Sequence, residues 1–206
     1  MSVLYFDTET TGLFPGQICQ LAYIIESERG IASKNFYFAV DYVEPAAAAI
    51  TGLTAPRLLV LSEGRRLGEF IDEIEKDFLS AEVLVAHNFN FDWSFMRAEF
   101  ERHGKRFWFK ERFCTMREFT KRLKLPSPRG HYKYPSLEEL SCFYNVSDSD
   151  AAELAIKLFG EVYSAHDARY DSSKMYLSLL KARVLHKELE SYFASKLRFR
   201  GGTGLI

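Results

Sequence analysis

Residues Leu4–Leu13 read LYFDTETTGL, and this stretch decides the fold. From Val3 to Phe6 the chain is apolar and rich in β-formers, which predicts a short buried strand. The strand then meets two acids, Asp7 and Glu9, two positions apart. If extended geometry persists through Thr8, both side chains leave the same face of a sheet. Two like charges beside a buried strand repel each other and lose hydration, a cost that a cation or a proton offsets. Mg²⁺ or Mn²⁺ suits the pair better than zinc, because the donors are hard oxygens with no Cys or His alongside. Taken alone, the pair is equally compatible with acids that merely end a strand. Thr10, Thr11 and Gly12 predict a turn in which small residues let a ligand approach the backbone.

Outward from this stretch, 206 residues with 47% hydrophobic content fit one domain with a substantial core. We place that domain at residues 1–197, followed by a basic and then glycine-rich tail, RFRGGTGLI, at 198–206, expected to be flexible. No apolar run is long enough to cross a bilayer, and the N-terminus lacks the basic and apolar regions of a signal peptide, so a cytoplasmic protein with no membrane partner is expected. Cys19, Cys114 and Cys142 are too widely spaced for a disulfide framework or a zinc site, and are expected to be small core residues. A net charge of −1 argues against a large nonspecific nucleic-acid clamp. Basic residues do gather between Lys105 and Lys133, interleaved with Phe107, Trp108, Phe109, Tyr132 and Tyr134. Such a run is either a solvated face or a phosphate-contacting surface with aromatic stacking.

Two more strands are predicted at Gln17–Glu26 and Lys34–Asp41, joined by a polar turn over Ser27–Ser33, which gives an N-terminal meander. A short helix follows Pro45 and ends at Gly52. Leu67, Phe70, Ile71, Ile74 and Phe78 recur at helical spacing, predicting one amphipathic helix from Arg65 to Leu79. Glu82–Ala86 predicts a fourth strand leading into a second marked segment, HNFNFDWSFM, His87–Met96. There a helix from about Asn90 to His103 carries Asp92 in its first turn, where the helix dipole favours an anion. Phe113–Thr115 predicts a fifth, edge strand before a helix over Met116–Lys124. An irregular proline-containing loop runs to Pro135. Ser136 with Glu139 forms a capping box for the next helix, and another helix is expected from Asp150 to about Tyr163. The third marked segment is HDARYDSSKMYL, His166–Leu177, expected to open a helix near His166 with Asp171 converging on its N-terminal end.

Asp7, Glu9, Asp92 and Asp171 together supply four carboxylates from three separated segments, with His166 as a titratable neighbour. This is the inventory for two-metal phosphodiester cleavage. DTETTGL, then HNFNFD, then His with Asp five positions on, resembles in order the DEDDh branch of the DnaQ-like 3'–5' exonucleases, in the ribonuclease H-like superfamily. The resemblance spans Asp7 to Asp171. It implies an α/β ribonuclease H-like fold, a mixed five-stranded sheet with one antiparallel strand, flanked by helices.

The resemblance further implies that Asp7, Glu9, Asp92 and Asp171 bind two divalent ions, Mg²⁺ or Mn²⁺, roughly 4 Å apart. His166 is then the general base for the attacking water, and an imidazole of intrinsic pKa near ~6.5 accepts that proton once neutral. Leu13 matches the apolar wedge against the terminal bases, with a core turn residue as the alternative. Thr8, Thr10 and Gly12 hold the 3'-terminal nucleotide, while His87, Asn88 and Phe91 line the site. His131 has no carboxylate nearby in sequence and receives no role. Thr51-Gly52 stands where many proofreading members have His-Gly, the interval between Asn145 and His166 is long, and Ser172 and Ser173 replace small apolar residues. The implied activity is removal of nucleotides from a DNA 3' end, single-stranded or mismatched, as nucleoside 5'-monophosphates in proofreading or repair. Trimming of RNA by the same site is the alternative, and a noncatalytic nucleic-acid or protein binding module is a third. A polymerase or a second copy of the chain is a conceivable partner.

Overall fold

Extended geometry does persist through the acids. In a computed structural model that describes residues 1–128, 130–160 and 166–198, β1 runs Ser2–Thr10 without interruption. It continues past the apolar run because neighbours pair with its polar end: Asp7 faces Ala22 and Glu9 faces Gln20 in the antiparallel register with β2 (Ile18–Ser27). The expected turn at Ser27–Ser33 shrinks to Glu28 and Arg29, since Ser27 already pairs with Gly30 at the start of β3 (Gly30–Tyr37). Gly30 has a φ of 121°, a conformation that glycine adopts without a Cβ clash. β3 also stops earlier than the expected Asp41, because the amide of Ala39 turns to the carbonyl of Arg65 at 2.8 Å.

The sheet order is β3-β2-β1-β4-β5, with β4 at Val83–Ala86 and β5 at Glu111–Cys114. β4 runs parallel to β1 and β5 parallel to β4, while β2 is antiparallel to both of its neighbours. β2 is thus the single reversed strand of a mixed five-stranded sheet, as expected.

Alternation along β1 divides the core into two layers. Leu4 and Phe6 point to a cluster containing Ile74 and Phe78 of α3 (Ile71–Ser80) and Phe95 and Phe100 of α4 (Phe89–Arg102). Val3 and Tyr5 point the other way. Their cluster contains Phe119 of α5 (Thr115–Leu123), Leu140 of α6 (Leu137–Phe143), Leu179 of α8 (Ala168–Leu185) and Phe193 of α9 (Lys187–Leu197). Aromatic rings meet edge-on across the first layer, Phe6 lying 5.2 Å from Phe78 and 5.8 Å from Phe89, a preferred arrangement of ring quadrupoles.

Several boundaries differ from expectation for local reasons. α1 (Pro45–Thr51) ends at Gly52 as predicted, but α2 (Ala55–Leu61) was not foreseen. Its start is nonetheless written in Thr54, whose hydroxyl accepts from the Arg57 amide at 3.4 Å, and in Pro56 within the first turn. The single helix expected over Arg65–Leu79 divides into a 3-10 turn, Leu67–Glu69, and α3. Gly68 lies in that turn against the ring of His103, where an added Cβ would sit 2.5 Å from the imidazole.

The Ser136–Glu139 capping box forms as read. A second box, Ser147 with Asp150, starts α7 (Asp148–Phe159) earlier than the sequence reading placed it. The portion of that expected helix reaching Tyr163, and the expected tail beyond Arg198, lie outside the described residues. All three cysteines are free, and only Cys19 is a core residue; Cys114 is half-buried and Cys142 exposed. Among the described residues no helix is long and apolar enough to cross a membrane.

Candidate active site

The two acids of β1 share the face of Val3 and Tyr5, so they project toward α8. Asp171 comes down from that helix to meet them. One carboxylate oxygen from each of Asp7, Glu9 and Asp171 lies within 4.8 Å of the other two. The N-terminal end of α8 is fastened to β2 by Gln20, whose Oε1 accepts from the Ala168 amide at 3.2 Å and whose Nε2 donates to Asp167 at 3.0 Å. Because Gln20 is the register partner of Glu9, the contact that seats the helix also sets the distance between the acids.

Asp92 arrives from the opposite side. It sits in the first turn of α4 and is buried. Thr8, which points away from Asp7 and Glu9, donates to Asp92 Oδ1 from its hydroxyl at 2.8 Å and from its amide at 3.2 Å. The strand therefore carries acids on one face and the tether for a fourth acid on the other. Asp92 stands beside the three-acid group rather than in it, yet close enough that its charge acts on Asp7 and Glu9.

Burial holds all four carboxylates in the protonated direction, and repulsion from neighbouring acids adds to it at Asp7, Glu9 and Asp171. Desolvation comes first for each. Asp7 is raised well above the ordinary carboxylate range, with Asp92, Asp171 and Glu9 adding repulsion. Glu9 is pushed up to about 8 by burial and by Asp171, Asp167 and Asp92. Burial lifts Asp92 to about 7, against the lowering effect of the Thr8 hydrogen bonds. Asp171 reaches about 6, because His166 partly opposes the cost of its burial. A set of hard oxygen donors held at such an electrostatic cost fits a divalent cation, which removes the repulsion when it binds.

His166 was expected at the start of a helix. It instead precedes α8 with a φ of 61°, and its backbone N–H donates to Asp171 Oδ2 at 3.1 Å. Asp167, not His166, caps the helix, accepting from the Arg169 amide at 3.0 Å. The exposed imidazole stands where three hollows of about 340, 350 and 350 Å³ adjoin. One is lined by Thr8, Glu9, Thr10, Gly12, Leu13 and Phe91 together with α1, and another by Asp7, Asp171 and His87.

Residues 4–173 match the family described as RNase_T, exonuclease. The chain belongs to this exonuclease family. The three motifs that resemble DnaQ-like sequences lie within the matched segment. A DNA polymerase III subunit epsilon-like protein of Rhodobacter capsulatus is 34% identical over 111 residues, 52% of this chain and 16% of that relative. The PolC-type DNA polymerase III of Streptococcus pyogenes is 34% identical over 100 residues, 48% of this chain and 7% of its own. The chain thus spans a small part of the curated relatives it matches. Among solved structures, a zinc-bound complex of Escherichia coli exonuclease I with single-stranded DNA has a TM-score of 0.72 at 20% identity, covering 94% of this chain and 43% of that one. Exonuclease X in complex with 5'-overhanging duplex DNA has a TM-score of 0.62 at 21% identity, covering 95% and 96%. These likenesses show the ribonuclease H-like fold.

Placed in this exonuclease fold, most residues picked out from the sequence meet at one cleft. Leu13 is 79% exposed at its mouth and is not a core turn residue. Phe91 is half-buried against Phe95. The Thr10 hydroxyl donates to the Gly12 carbonyl at 2.8 Å and fixes the turn. The Glu44 carboxylate lies over Gly12, where an added Cβ would fall 2.2 Å from it. His87 is held between Thr115 Oγ1 at 2.9 Å and the Pro135 carbonyl at 3.1 Å, and burial lowers it to about 4, so it lines the site as a neutral ring. Asn88 lies outside these hollows. It takes the left-handed conformation at φ 61°, which Asn tolerates, just before α4.

The mid-chain basic run does not form one face over the cleft. Lys105 pairs with Asp72 and Glu75, Lys110 with Glu82, Arg122 with Glu118 and Glu188, and Lys133 with Glu139. Arg112, Arg117 and Lys121 border a separate hollow of about 500 Å³ beside β5. Arg129 lies outside the described residues. For these four paired cations the run is a solvated, ion-paired surface.

The sequence reading missed Gln20, Asp167 and Lys174. A strand glutamine opposite Glu9 carries no signal without the register, and Asp167 was legible only as a helix-capping type of residue.

Thr8→Val keeps the shape of its side chain but removes the hydroxyl donor from a buried carboxylate. At pH 8, without metal, urea denaturation is expected to show about 1–3 kcal/mol less stability, the cost of losing a hydrogen bond to a buried carboxylate that keeps only the Thr8 amide.

Proposed function

We propose that this chain is a divalent-metal-dependent 3'–5' exonuclease acting on DNA 3' ends, single-stranded or frayed, and releasing nucleoside 5'-monophosphates in proofreading or repair. The observation that carries this reading is the meeting of Asp7, Glu9 and Asp171 within 4.8 Å, beside His166. The match of residues 4–173 to an exonuclease family supports it. The polymerase III relatives support the DNA setting.

Asp7, Glu9 and Asp171 would hold the cations, with Asp92 completing the set from the Thr8 side. Bound there, two divalent ions supply compensating charge for the attacking and leaving oxygens of the displacement. Leu13 and Phe91 receive the terminal base, while Thr8, Thr10 and Gly12 hold the terminal nucleotide against the end of β1. Asp171 orients the main chain of His166 through its amide. An imidazole nitrogen of His166 takes the proton of the attacking water.

The deciding experiment offers 5'-labelled oligonucleotides with single-stranded, matched and mismatched 3' ends, each as DNA and as RNA, with Mg²⁺ or with EDTA. A ladder shortening from the 3' end, dependent on Mg²⁺ and faster on DNA, is expected. Faster loss of RNA would assign RNA trimming. Absence of nucleotide release from every end, alongside metal-dependent thermal stabilisation, would leave a noncatalytic binding module.

His166→Ala is expected to lower kcat by about 10²–10⁴, the usual contribution of a positioned acid–base group. In the wild type the rate is expected to rise with pH as the base loses its proton, and that rise should flatten in the variant. A variant that keeps the wild-type pH profile would remove His166 from the proton transfer.

A further inference from the structure

Lys174 lies three residues after Asp171, one turn along the same face of α8. Its side chain is 4% exposed. The ammonium bonds Glu138 Oε2 of α6, and Asp148 Oδ1 of α7 at 2.8 Å. Asp148 is held a second time, by the Tyr170 hydroxyl at 2.7 Å. Glu138 has no such second hold on its side chain among the described contacts, and that side chain is 69% exposed.

The hollow containing Asp7, Asp171 and His166 is bordered by Lys174 and Glu138 as well. Asp148 is just as open to water, its side chain 76% exposed, so what sets Glu138 apart is the missing second hold and its place on the hollow that contains the acids. Asp148 stays on the ammonium at 2.8 Å, so another anion can take the place of the Glu138 carboxylate without leaving the buried charge uncompensated. A phosphodiester has the same charge and the same acceptor chemistry for an ammonium.

We propose that Lys174 binds a backbone phosphate of the substrate strand, and that Glu138 is the carboxylate that occupies the ammonium until that phosphate displaces it. Asp148, kept in place by Tyr170, holds Lys174 oriented in both states. Glu138 is then a specificity device: it repels strands entering the hollow unless they present a phosphate at the right distance from the acids. This assignment rests on the exonuclease reading above.

The test is binding of a 5'-fluorescein-labelled octathymidylate by anisotropy, with Ca²⁺ replacing Mg²⁺ to suppress turnover and a parallel series in EDTA. Glu138→Gln is expected to tighten binding about fivefold, and Lys174→Gln to weaken it about tenfold, the scale of one charge-assisted contact. In Lys174→Gln the slope of log affinity against log salt should fall by about 0.7, one phosphate on a single strand. The tightening from Glu138→Gln should vanish in the double variant. Unchanged or weaker binding by Glu138→Gln, or tightening that survives in the double variant, would overturn the proposal. If Lys174→Gln does not fold, Glu138→Gln against the wild type decides alone. A wild type that binds no oligonucleotide in either series would instead sink the exonuclease reading, and this assignment with it.

Discussion

Asp7→Asn is expected to abolish nucleotide release while making the metal-free protein more heat-stable. Asp7 is the one acid repelled by all the others of the site, Asp92, Asp171, Glu9 and Asp167, after the cost of its own burial. Amide replacement removes both costs and keeps the shape of the side chain. It also removes a donor from the group that would hold the cations, and the loss of their charge stabilisation should lower kcat at least about a thousandfold, or ~4 kcal/mol. The two effects run in opposite directions, so paired measurements separate loss of function from loss of fold. The gain in melting temperature should be larger at pH 8 than at pH 5, because at pH 5 little free energy is needed to protonate Asp7 on folding. Full activity in the variant would refute the assignment of the centre.

The second large effect is a stability that depends on pH and metal together. Glu9, Asp92 and Asp171 are raised to about 8, 7 and 6, whereas unfolded carboxyls titrate near ~4. From about pH 4 to pH 8 the folded chain holds more protons than the unfolded one, so the stability conferred by these groups is complete below pH ~4 and is lost as pH rises through their folded values. In EDTA the melting temperature should therefore fall from pH 5.5 to pH 8. Mg²⁺ should reverse this, since a cation binds the ionised set. At a hundredfold excess over Kd it adds about 2.7 kcal/mol, on the order of 5–10 °C for a chain of this size. Equal melting curves with EDTA and Mg²⁺ at pH 8 would rule out a cation site at these carboxylates.

The sequence showed some parts of this centre plainly and hid others for physical reasons. Strand alternation makes Asp7 and Glu9 co-facial from spacing alone, and the capping box at Ser136 is a local hydrogen-bond pattern that needs no tertiary knowledge. The short α2 escaped because seven residues of helix give too little periodicity, even though Thr54 and Pro56 mark its start. Gly68 is a local weak point in the helical pattern over Arg65–Leu79, but the ring of His103 packed against it comes from far along the chain. Asp92 was placed correctly in a helix first turn, but its restraint by Thr8 is a contact across 84 positions. Lys174 looks like an ordinary helix-surface lysine until its neighbours from α6 and α7 are in place.

β1 has one further consequence, which concerns how the motif is inherited. Odd positions on this strand bear the acids and Thr8, at an even position, bears the tether, so insertion or deletion of a single residue between Ser2 and Phe6 would force a choice. Either the hydrophobic ladder keeps its pairing with β2 and β4, and the acids change places with the tether, or the acids stay and the ladder slips by one. The letters DTET would survive such an event unchanged, and the centre would not. Divergence at this end of the chain should therefore proceed by exchange of residues and not by change of length, and a relative with an odd-length gap just ahead of its acids is a candidate for lost activity however intact its signature looks.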